Sequence, residues 1–236
     1  MTQGGDAVRP YFESQGVVLY HGDSREVLAG LAPADLVLTD PPYNVGKQYG
    51  DHDDGMEGSV YEDWLRGVFS TCVNLAPALV YTPGTSNVWG VERLLTGTGY
   101  RPYSLLGWHK KEFAGDKWNG SPAHCWEPVV WASREEKPFY NKRFGTLGRN
   151  FLVVNATHGD PFRRSHPCPK PLPVMAWLVG LFAPVGGSLI DPFAGTGTTL
   201  RAAMNAGIRA VGIEQEERFC EAAAKRLSQG VLSFDD

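Results

Sequence analysis

The chain has 236 residues, of which 42% are hydrophobic and 20% are charged, and its formal net charge at pH 7 is −4. This length supports one full core, so we interpret residues 1–236 as a single domain. Four cysteines without a Cys-x-x-Cys pair argue against a zinc ribbon and a disulfide framework. No apolar stretch has the length of a membrane span and no basic-then-apolar leader begins the chain, so we expect a cytoplasmic protein without a membrane segment.

Short apolar runs typical of buried strands alternate with helical patterns along most of the chain. The predicted strands cover residues 16–20, 36–38, 79–82, 102–108, 128–133, 187–190 and 210–213. The predicted helices cover residues 26–31, 60–75, 88–95, 172–182 and 200–206. This alternation predicts a mostly parallel α/β sheet with helices on both faces. Residues 44–57 are rich in Gly and Asp without an apolar period, and they predict a mobile loop that could close over a substrate.

The sequence Asp40-Pro41-Pro42-Tyr43 directly follows one of the predicted strands. Its prolines cannot donate to a sheet ladder and they keep the backbone extended, so the strand ends here in a stiff loop. The carboxyl ends of strands border the ligand crevice of an open α/β sheet. A carboxylate, a proline carbonyl and an aromatic ring suit a planar ring with an amino group, because the oxygens accept the amino hydrogens while the tyrosine stacks. For the tetrapeptide alone, a strand-ending turn without a chemical role stays an alternative.

A second motif, Asp-Pro-Phe-Ala-Gly-Thr-Gly-Thr-Thr at residues 191–199, lies between a predicted strand and a predicted helix. Gly195 and Gly197 let the backbone turn tightly and let a ligand approach without a clashing Cβ. No lysine follows Gly197, so this is not a Walker loop for nucleotide phosphates. Glu214 ends the next strand, where a carboxylate can bind ribose hydroxyls. An NAD-dependent oxidoreductase and a non-catalytic nucleic-acid-binding module stay open, although the oxidoreductase gives no role to residues 40–43.

Together the two motifs resemble those of the amino-group DNA methyltransferases that use S-adenosylmethionine, in which Asp-Pro-Pro-Tyr accompanies Phe-x-Gly-x-Gly. Their order resembles the permuted β group of this family. Further similar segments, covering nearly the whole chain, are Gly22-Asp23-Ser24, Trp108-His109-Lys110, His166-Pro167 with Lys170-Pro171, and Gly212-Ile213-Glu214. The resemblance implies a doubly wound, mostly parallel seven-stranded sheet of the Rossmann-like methyltransferase type, with a circularly permuted motif order. It also implies site-specific methylation of double-stranded DNA, as an orphan enzyme or with a restriction partner.

The resemblance assigns catalysis to Asp40, Pro41, Pro42 and Tyr43, which hold the amine of a flipped base during direct methyl transfer without a metal. An aspartate at the first position of this motif favours adenine N6, with cytosine N4 as the alternative. The residues predicted to contact the cofactor are Asp23, Ser24, Lys170, Asp191, Phe193, Ala194, Gly195, Thr196, Gly197, Thr198, Thr199 and Glu214. Asp23 is expected to accept from the cofactor's adenine, and either Asp23 or Ser24 can also cap a helix. Lys170 and Asp191 are expected at the methionine end.

The middle of the chain is basic, with 12 Lys and Arg against 6 Asp and Glu between Arg101 and Lys170. A polarised chain can present one basic face to DNA phosphates, although a solvated insertion would have the same composition. The residues predicted to bind DNA are Lys110, Lys111, Lys142, Arg143, Arg149, Arg163 and Arg164. They belong to a short insertion around residues 110–165, where the resembling enzymes carry their target-recognition segment. Because this segment is short, we expect it to contact few bases or to act with a second subunit in a homodimer.

Overall fold

The computed structural model describes residues 9–49, 52–110, 125–142, 150–154 and 169–229. The strands, in chain order, are β1 (Phe12–Ser14), β2 (Val17–His21), β3 (Leu36–Thr39), β4 (Gln48–Tyr49), β5 (His52–Asp53), β6 (Ala78–Tyr81), β7 (Arg101–Lys110), β8 (Trp126–Ser133), β9 (Phe151–Val154), β10 (Ser188–Asp191) and β11 (Arg209–Glu214). The helices are α1 (Ser24–Leu28), α2 (Gly58–Leu75), α3 (Val91–Leu95), α4 (Leu172–Phe182), α5 (Thr198–Asn205) and α6 (Glu217–Ser228), and a 3-10 turn at Val88–Gly90 precedes α3. No helix within the described ranges is long and apolar enough to cross a lipid bilayer.

In the described part of the chain, nine strands form one sheet in the order β1-β2-β11-β10-β3-β6-β8-β7-β9. Strands β2, β11, β10, β3 and β6 are parallel, whereas β8 runs antiparallel to both β6 and β7. The chain leaves β10 toward β11 on one side and leaves β3 toward β6 on the other, so the strand order reverses between β10 and β3. Open α/β sheets form their ligand crevice at the carboxyl ends of the strands beside such a reversal.

Side chains alternate across the sheet, so each face packs against its own group of helices. Leu36 and Leu38 of β3 belong to the apolar cluster that includes α4, α5 and α6. Val37, between them, belongs to the cluster that includes α1, α2 and α3. All three side chains are fully buried, as the apolar run predicted. Because β3 is fixed from both faces, the residue that follows it has a defined position at the sheet edge.

The predicted α/β class and mostly parallel sheet are confirmed, and each predicted helix and strand overlaps an observed one. Seven strands, from β2 to β7 in the order above, make up the expected sheet, and β1 and β9 each extend one edge. β1 pairs with β2 across Gln15 and Gly16, whose φ angles of 50° and 77° are those of a tight hairpin turn. β9 lies in the predicted basic insertion and pairs in parallel with β7.

The described part of residues 44–57 contains local structure that the composition did not indicate. The Asp54 side chain is buried, and its carboxylate accepts from the backbone N–H groups of Asn44, Val45 and Lys47 at 2.7, 3.1 and 2.8 Å. β4 and β5 pair as a short antiparallel ladder in the same segment. Charge-assisted hydrogen bonds to a buried carboxylate thus replace the apolar contacts that the segment lacks, and its mobility and closure over a substrate stay predictions.

Candidate functional site

One pocket brings together the two sequence motifs, which are far apart in the chain. The strands β2, β3, β10 and β11 are parallel, so their carboxyl ends lie at the same edge of the sheet. The pocket opens at that edge. Its walls include Phe193 and Gly195 after β10, Glu214 at the end of β11, and the whole first motif, Asp40, Pro41, Pro42 and Tyr43. Trp64 of α2 forms part of the wall and packs against Phe193 with ring centroids 5.3 Å apart.

The Asp40 carboxylate is held by three donors. The Tyr43 hydroxyl donates to Oδ1 at 2.9 Å, and the Thr82 hydroxyl donates to the same oxygen. Lys170 Nζ lies 2.9 Å from Oδ2. Thr82 follows β6, the neighbour of β3, so its hydroxyl reaches Asp40 from the adjacent strand end. The carboxylate is thus fixed at the pocket wall as an acceptor-only group that suits the N–H groups of an amine.

The loop that ends in Tyr43 is fixed by side chains from other elements. The Tyr61 hydroxyl donates to the Pro42 carbonyl at 2.8 Å, and the Asn87 amide donates to the Tyr43 carbonyl at 2.8 Å. A Cβ built on Gly84 would lie 2.9 Å from the Tyr43 ring, so a glycine there leaves room for the aromatic side chain. Burial raises the pKa of Tyr43 well above its ordinary value, so its hydroxyl stays protonated and remains a hydrogen-bond donor.

Lys170 lines the pocket and connects it to an ion pair formed by Glu127 and Lys110. β8 runs antiparallel to β6, so Glu127, near the start of β8, lies at the same edge as Asp40. Glu127 Oε2 is 3.4 Å from Lys170 Nζ, and Oε1 pairs with Lys110 at the end of β7. Burial alone would raise the pKa of Glu127, but the two lysines hold it below its ordinary value. Lys170, predicted at the cofactor's methionine end, therefore contacts the catalytic motif.

The glycine loop and Glu214 are joined by backbone hydrogen bonds. The Gly195 N–H donates to Glu214 Oε2 at 2.8 Å, and the Glu216 N–H donates to Oε1 at 2.8 Å. Gly195 and Gly197 have φ angles of 51° and 76°, in the left-handed region that favours glycine. Gly197 precedes α5 and lies close to α6, where an added Cβ would be 3.0 Å from that of Ala223. The loop can thus turn directly from β10 into α5.

Other residues of the second motif build the loop instead of facing the pocket. Asp191, predicted to face the cofactor's ammonium group, is 1% exposed, and it accepts from the Thr39 hydroxyl at 2.5 Å and from the Phe193 N–H at 3.0 Å. Burial raises the pKa of Asp191 to about 6. The residues Ala194, Thr196, Thr198 and Thr199 are buried as well. Of this motif, Pro192, Phe193 and Gly195 line the pocket. The cofactor contacts predicted for the buried residues stay predictions.

Asp23 and Ser24 occupy the turn between β2 and α1. Asp23 caps α1 by accepting from the Arg25 N–H at 2.8 Å, and its carboxylate also binds the Arg25 guanidinium. These hydrogen bonds hold the pKa of Asp23 below its ordinary value. The Ser24 hydroxyl donates to the Pro192 carbonyl, which ties this turn to the glycine loop. Both residues also line the pocket, so capping leaves them in a position where a ligand can be contacted. Their cofactor contacts stay predictions.

Glu214 makes the stability of the ligand-free protein pH-dependent. Burial raises the pKa of Glu214 to about 7 from 4.5. Between these values the folded protein binds more protons than the unfolded chain, so this contribution to the free energy of unfolding falls as the pH rises toward 7, by roughly 3 kcal/mol. We expect Glu214→Gln to flatten the pH dependence in this window. Urea unfolding of the wild type and of Glu214→Gln at pH 5, 6, 7 and 8 gives the free energy of unfolding as a function of pH. The same pH dependence in the two proteins would contradict this expectation.

The structure describes two of the residues predicted to bind DNA, Lys110 and Lys142. Lys110 contributes an ion pair with Glu127 at the pocket edge, and its Nζ lies 5.5 Å from the centroid of the Trp108 ring. Lys142 is exposed. The predicted contacts Lys111, Arg143, Arg149, Arg163 and Arg164 lie outside the described residues.

Comparison with known proteins gives consistent results. A family model described as DNA methylase, of the N6/N4 type, matches residues 34–225. The type II methyltransferase M.ScaI of Streptomyces caespitosus is 27% identical over an alignment of 273 residues. The alignment includes 96% of this chain and 86% of that protein. The structure of a putative DNA modification methylase from Thermus thermophilus, TTHA0409, complexed with S-adenosyl-L-methionine, is 26% identical, has a TM-score of 0.65, and covers 92% of this chain and 95% of that one. The PvuII DNA methyltransferase, described as cytosine-N4-specific, shares the fold with a TM-score of 0.74 at 18% identity, over 92% of this chain and 88% of that one.

Proposed function

The chain belongs to the N6/N4 DNA methylase family, and on that premise we propose that it moves a methyl group from S-adenosylmethionine to the N6 amine of an adenine in double-stranded DNA. The observation that carries this proposal is the position of the Asp40 carboxylate. It forms one wall of the pocket whose opposite side is built by the glycine loop and Glu214. A group that holds an amine therefore lies beside a site that suits a nucleoside cofactor.

The residues of the first motif hold and orient the target base. Asp40 and the Pro41 carbonyl accept the two amino hydrogens, while the Tyr43 ring stacks on a base that has been flipped out of the duplex. The amino lone pair of a free base is delocalised into the ring. Fixed acceptors draw the hydrogens toward themselves and so localise that lone pair on nitrogen, directed at the methyl donor. Thr82 and Lys170 hold the Asp40 carboxylate in place, so the acceptor itself needs little rearrangement before the reaction.

The pocket suits S-adenosylmethionine better than a dinucleotide. Its wall carries the carboxylates Asp23, Asp40, Glu214 and Glu216 against one lysine, Lys170. An acidic surplus favours a cationic ligand and disfavours a pyrophosphate, which argues against the NAD-dependent alternative. Glu214 keeps lone pairs free for ribose hydroxyls after accepting its two backbone N–H groups, and Asp23 can accept from an adenine amine. When bound, the cofactor supplies an electrophilic methyl group on a positively charged sulfur.

A methyl-transfer assay tests this function. The purified protein is incubated with unmethylated plasmid DNA and S-adenosylmethionine carrying a labelled methyl group, and the DNA is then digested to nucleosides. We expect the label in N6-methyladenine. Label in N4-methylcytosine would support the alternative, the activity named for the PvuII enzyme with which the chain shares its fold. An absence of label from all nucleosides would overturn the proposal.

DNA binding should depend on the basic middle segment. Each Lys or Arg that neutralises a phosphate releases roughly 0.9 counterion, so replacing Arg163 and Arg164 by Gln should lower the slope of log affinity against log salt by about 1 to 2. Arg209→Gln is the control, since Arg209 is exposed at the start of β11, at the sheet edge away from the pocket. In titrations at several salt concentrations, the Arg163 and Arg164 variant should lose affinity equally for the target duplex and for a scrambled duplex. An unchanged slope would place the pair away from DNA, and a loss confined to the target would indicate base contact.

A cytoplasmic location and a homodimer on DNA stay predictions, and an orphan enzyme and an enzyme with a restriction partner stay open as alternatives. The short insertion around residues 110–165 is the feature that favours a second subunit, because it offers few side chains for base recognition.

A further inference from the structure

Glu127 is a buried carboxylate to which neither sequence motif assigns a role. Its side chain is 11% exposed, and it lies behind Tyr43 at the start of β8. Oε1 pairs with Lys110, whereas Oε2 faces two groups of the site, with Lys170 Nζ at 3.4 Å and the Tyr43 hydroxyl at 3.5 Å. A buried carboxylate in contact with both the stacking tyrosine and the lysine bound to Asp40 is placed to act on the methyl-transfer site.

Tyr43 and the target amine compete for the same acceptor. The Tyr43 hydroxyl donates to Asp40 Oδ1 at 2.9 Å, and the proposed function requires this carboxylate to accept from the amino group of the base. Oδ1 already accepts from the Tyr43 and Thr82 hydroxyls, which use its two lone pairs, so an amino group that binds this oxygen displaces one of them. The Tyr43 hydroxyl has a second carboxylate oxygen at 3.5 Å, so we take it as the one that leaves Asp40. A buried hydroxyl without an acceptor is costly, so the exchange is favourable only if another acceptor lies within reach. Glu127 Oε2 needs only a shift of a fraction of an ångström to become that acceptor.

We propose that Glu127 is a positioning residue for methyl transfer, which accepts the Tyr43 hydroxyl when the amino group of the base replaces that hydroxyl on Asp40. This inference rests on the proposed function. The ring of Tyr43 then stays beside Asp40 to stack on the base, while its hydroxyl remains paired.

Lys170 lies between the two acceptors. Its ammonium is 2.9 Å from Asp40 and 3.4 Å from Glu127, and 4.7 Å from the centroid of the Tyr43 ring. Burial alone would raise the pKa of Glu127, but the charges of Lys170 and Lys110 hold it below its ordinary value. An ionised carboxylate accepts hydrogen bonds and does not donate them, so Glu127 remains an acceptor for the Tyr43 hydroxyl.

The experiment is a double-mutant cycle on the full chain, with single-turnover methyl transfer to unmethylated plasmid DNA. We expect Glu127→Gln to lower the rate about tenfold or more, with the DNA concentration dependence and the affinity for S-adenosylmethionine within about threefold of wild type. Tyr43→Phe keeps the stacking ring and removes the hydroxyl that must be moved. In that background Glu127→Gln should therefore cost about threefold or less. Glu135→Gln, at an exposed carboxylate after the same strand, is the matched control and should keep the wild-type rate.

Three results would overturn the inference. The first is a wild-type rate for Glu127→Gln, and the second is an equal loss with and without the Tyr43 hydroxyl. The third is a loss above about 100-fold for Tyr43→Phe alone, which would mean that the hydroxyl itself is needed, and it can be measured even if Glu127→Gln does not fold. Wild-type protein that methylates no DNA would overturn the proposed function as well, whereas active wild-type protein with any of these three results overturns this inference alone.

Discussion

Replacing Asp40 by alanine should lower the rate of methyl transfer by at least about 100- to 1000-fold, the range for removing one preorganised hydrogen-bonding group from an active site. The substitution removes the acceptor that localises the amino lone pair. We expect the affinity for S-adenosylmethionine to stay within a few-fold of wild type, because Asp40 is assigned to the target amine. Lys170 keeps Glu127 as a partner, so its ammonium is not left without a counter-charge. Single-turnover transfer and calorimetric titration of the cofactor measure the two effects separately.

Asp40→Asn is the matched variant for this experiment. An asparagine keeps the shape of the side chain and one acceptor oxygen, but it loses the charge and presents an N–H group to Lys170 or to the amine. Its rate should therefore lie between those of the wild type and the alanine variant. Normal turnover by Asp40→Ala would contradict the proposed mechanism. A large loss of cofactor affinity would indicate that Asp40 binds the cofactor and not the target amine.

The meeting of the two motifs could be predicted from the sequence because it follows from the geometry of parallel strands. Asp40 and Gly195 each follow a short apolar strand, and parallel strands end at the same edge of a sheet. Neither the length of the intervening chain nor its loops affects this result. The predicted helices and strands overlap observed ones for a different reason, since central strands such as β3 and β6 are buried apolar runs and α2 has a periodic apolar pattern.

The sequence did not indicate two of the residues around Asp40, Thr82 and Glu127. Glu127 lies at the same sheet edge as Asp40 because β8 runs antiparallel to β6. The direction of a strand cannot be predicted from a short apolar pattern. Thr82 is found only once β6 is known to lie beside β3. Asp54 shows the same limit, since a Gly- and Asp-rich segment has no apolar period even when one of its carboxylates is buried and binds the backbone. In each case the missing information concerns which chain segments become neighbours.

A carboxylate in a cofactor motif can also have a structural partner. Asp191 was predicted at the cofactor's methionine end, and its carboxylate accepts from the Thr39 hydroxyl and from the Phe193 N–H. These hydrogen bonds fix the start of the glycine loop, and they depend on the rotation of a side chain at a strand end, which the motif does not specify. The predicted cofactor contact of Asp191 stays a prediction.

Replacing Gly195 by valine should abolish most cofactor binding, and Gly207→Val separates this effect from backbone strain. Both glycines have positive φ, 51° and 67°, so a valine at either position costs roughly 1–2 kcal/mol of stability. Gly207 is exposed, and a Cβ there meets no atom within 4 Å. Gly195 lines the pocket and donates its N–H to Glu214, so a branched side chain there fills space beside the carboxylate assigned to the ribose.

Calorimetric titration with S-adenosylmethionine, together with urea unfolding, distinguishes the two variants. Both should lose similar stability, but only Gly195→Val should lose affinity, by about tenfold or more, because the loop must approach the ligand closely at that residue. Equal affinity losses in the two variants would mean that strain in the fold, and not contact with the ligand, weakens binding. Unchanged affinity in a folded Gly195→Val protein would contradict the assignment of this loop to the cofactor, and it would leave Asp23 and Glu214 as the residues on which that assignment depends.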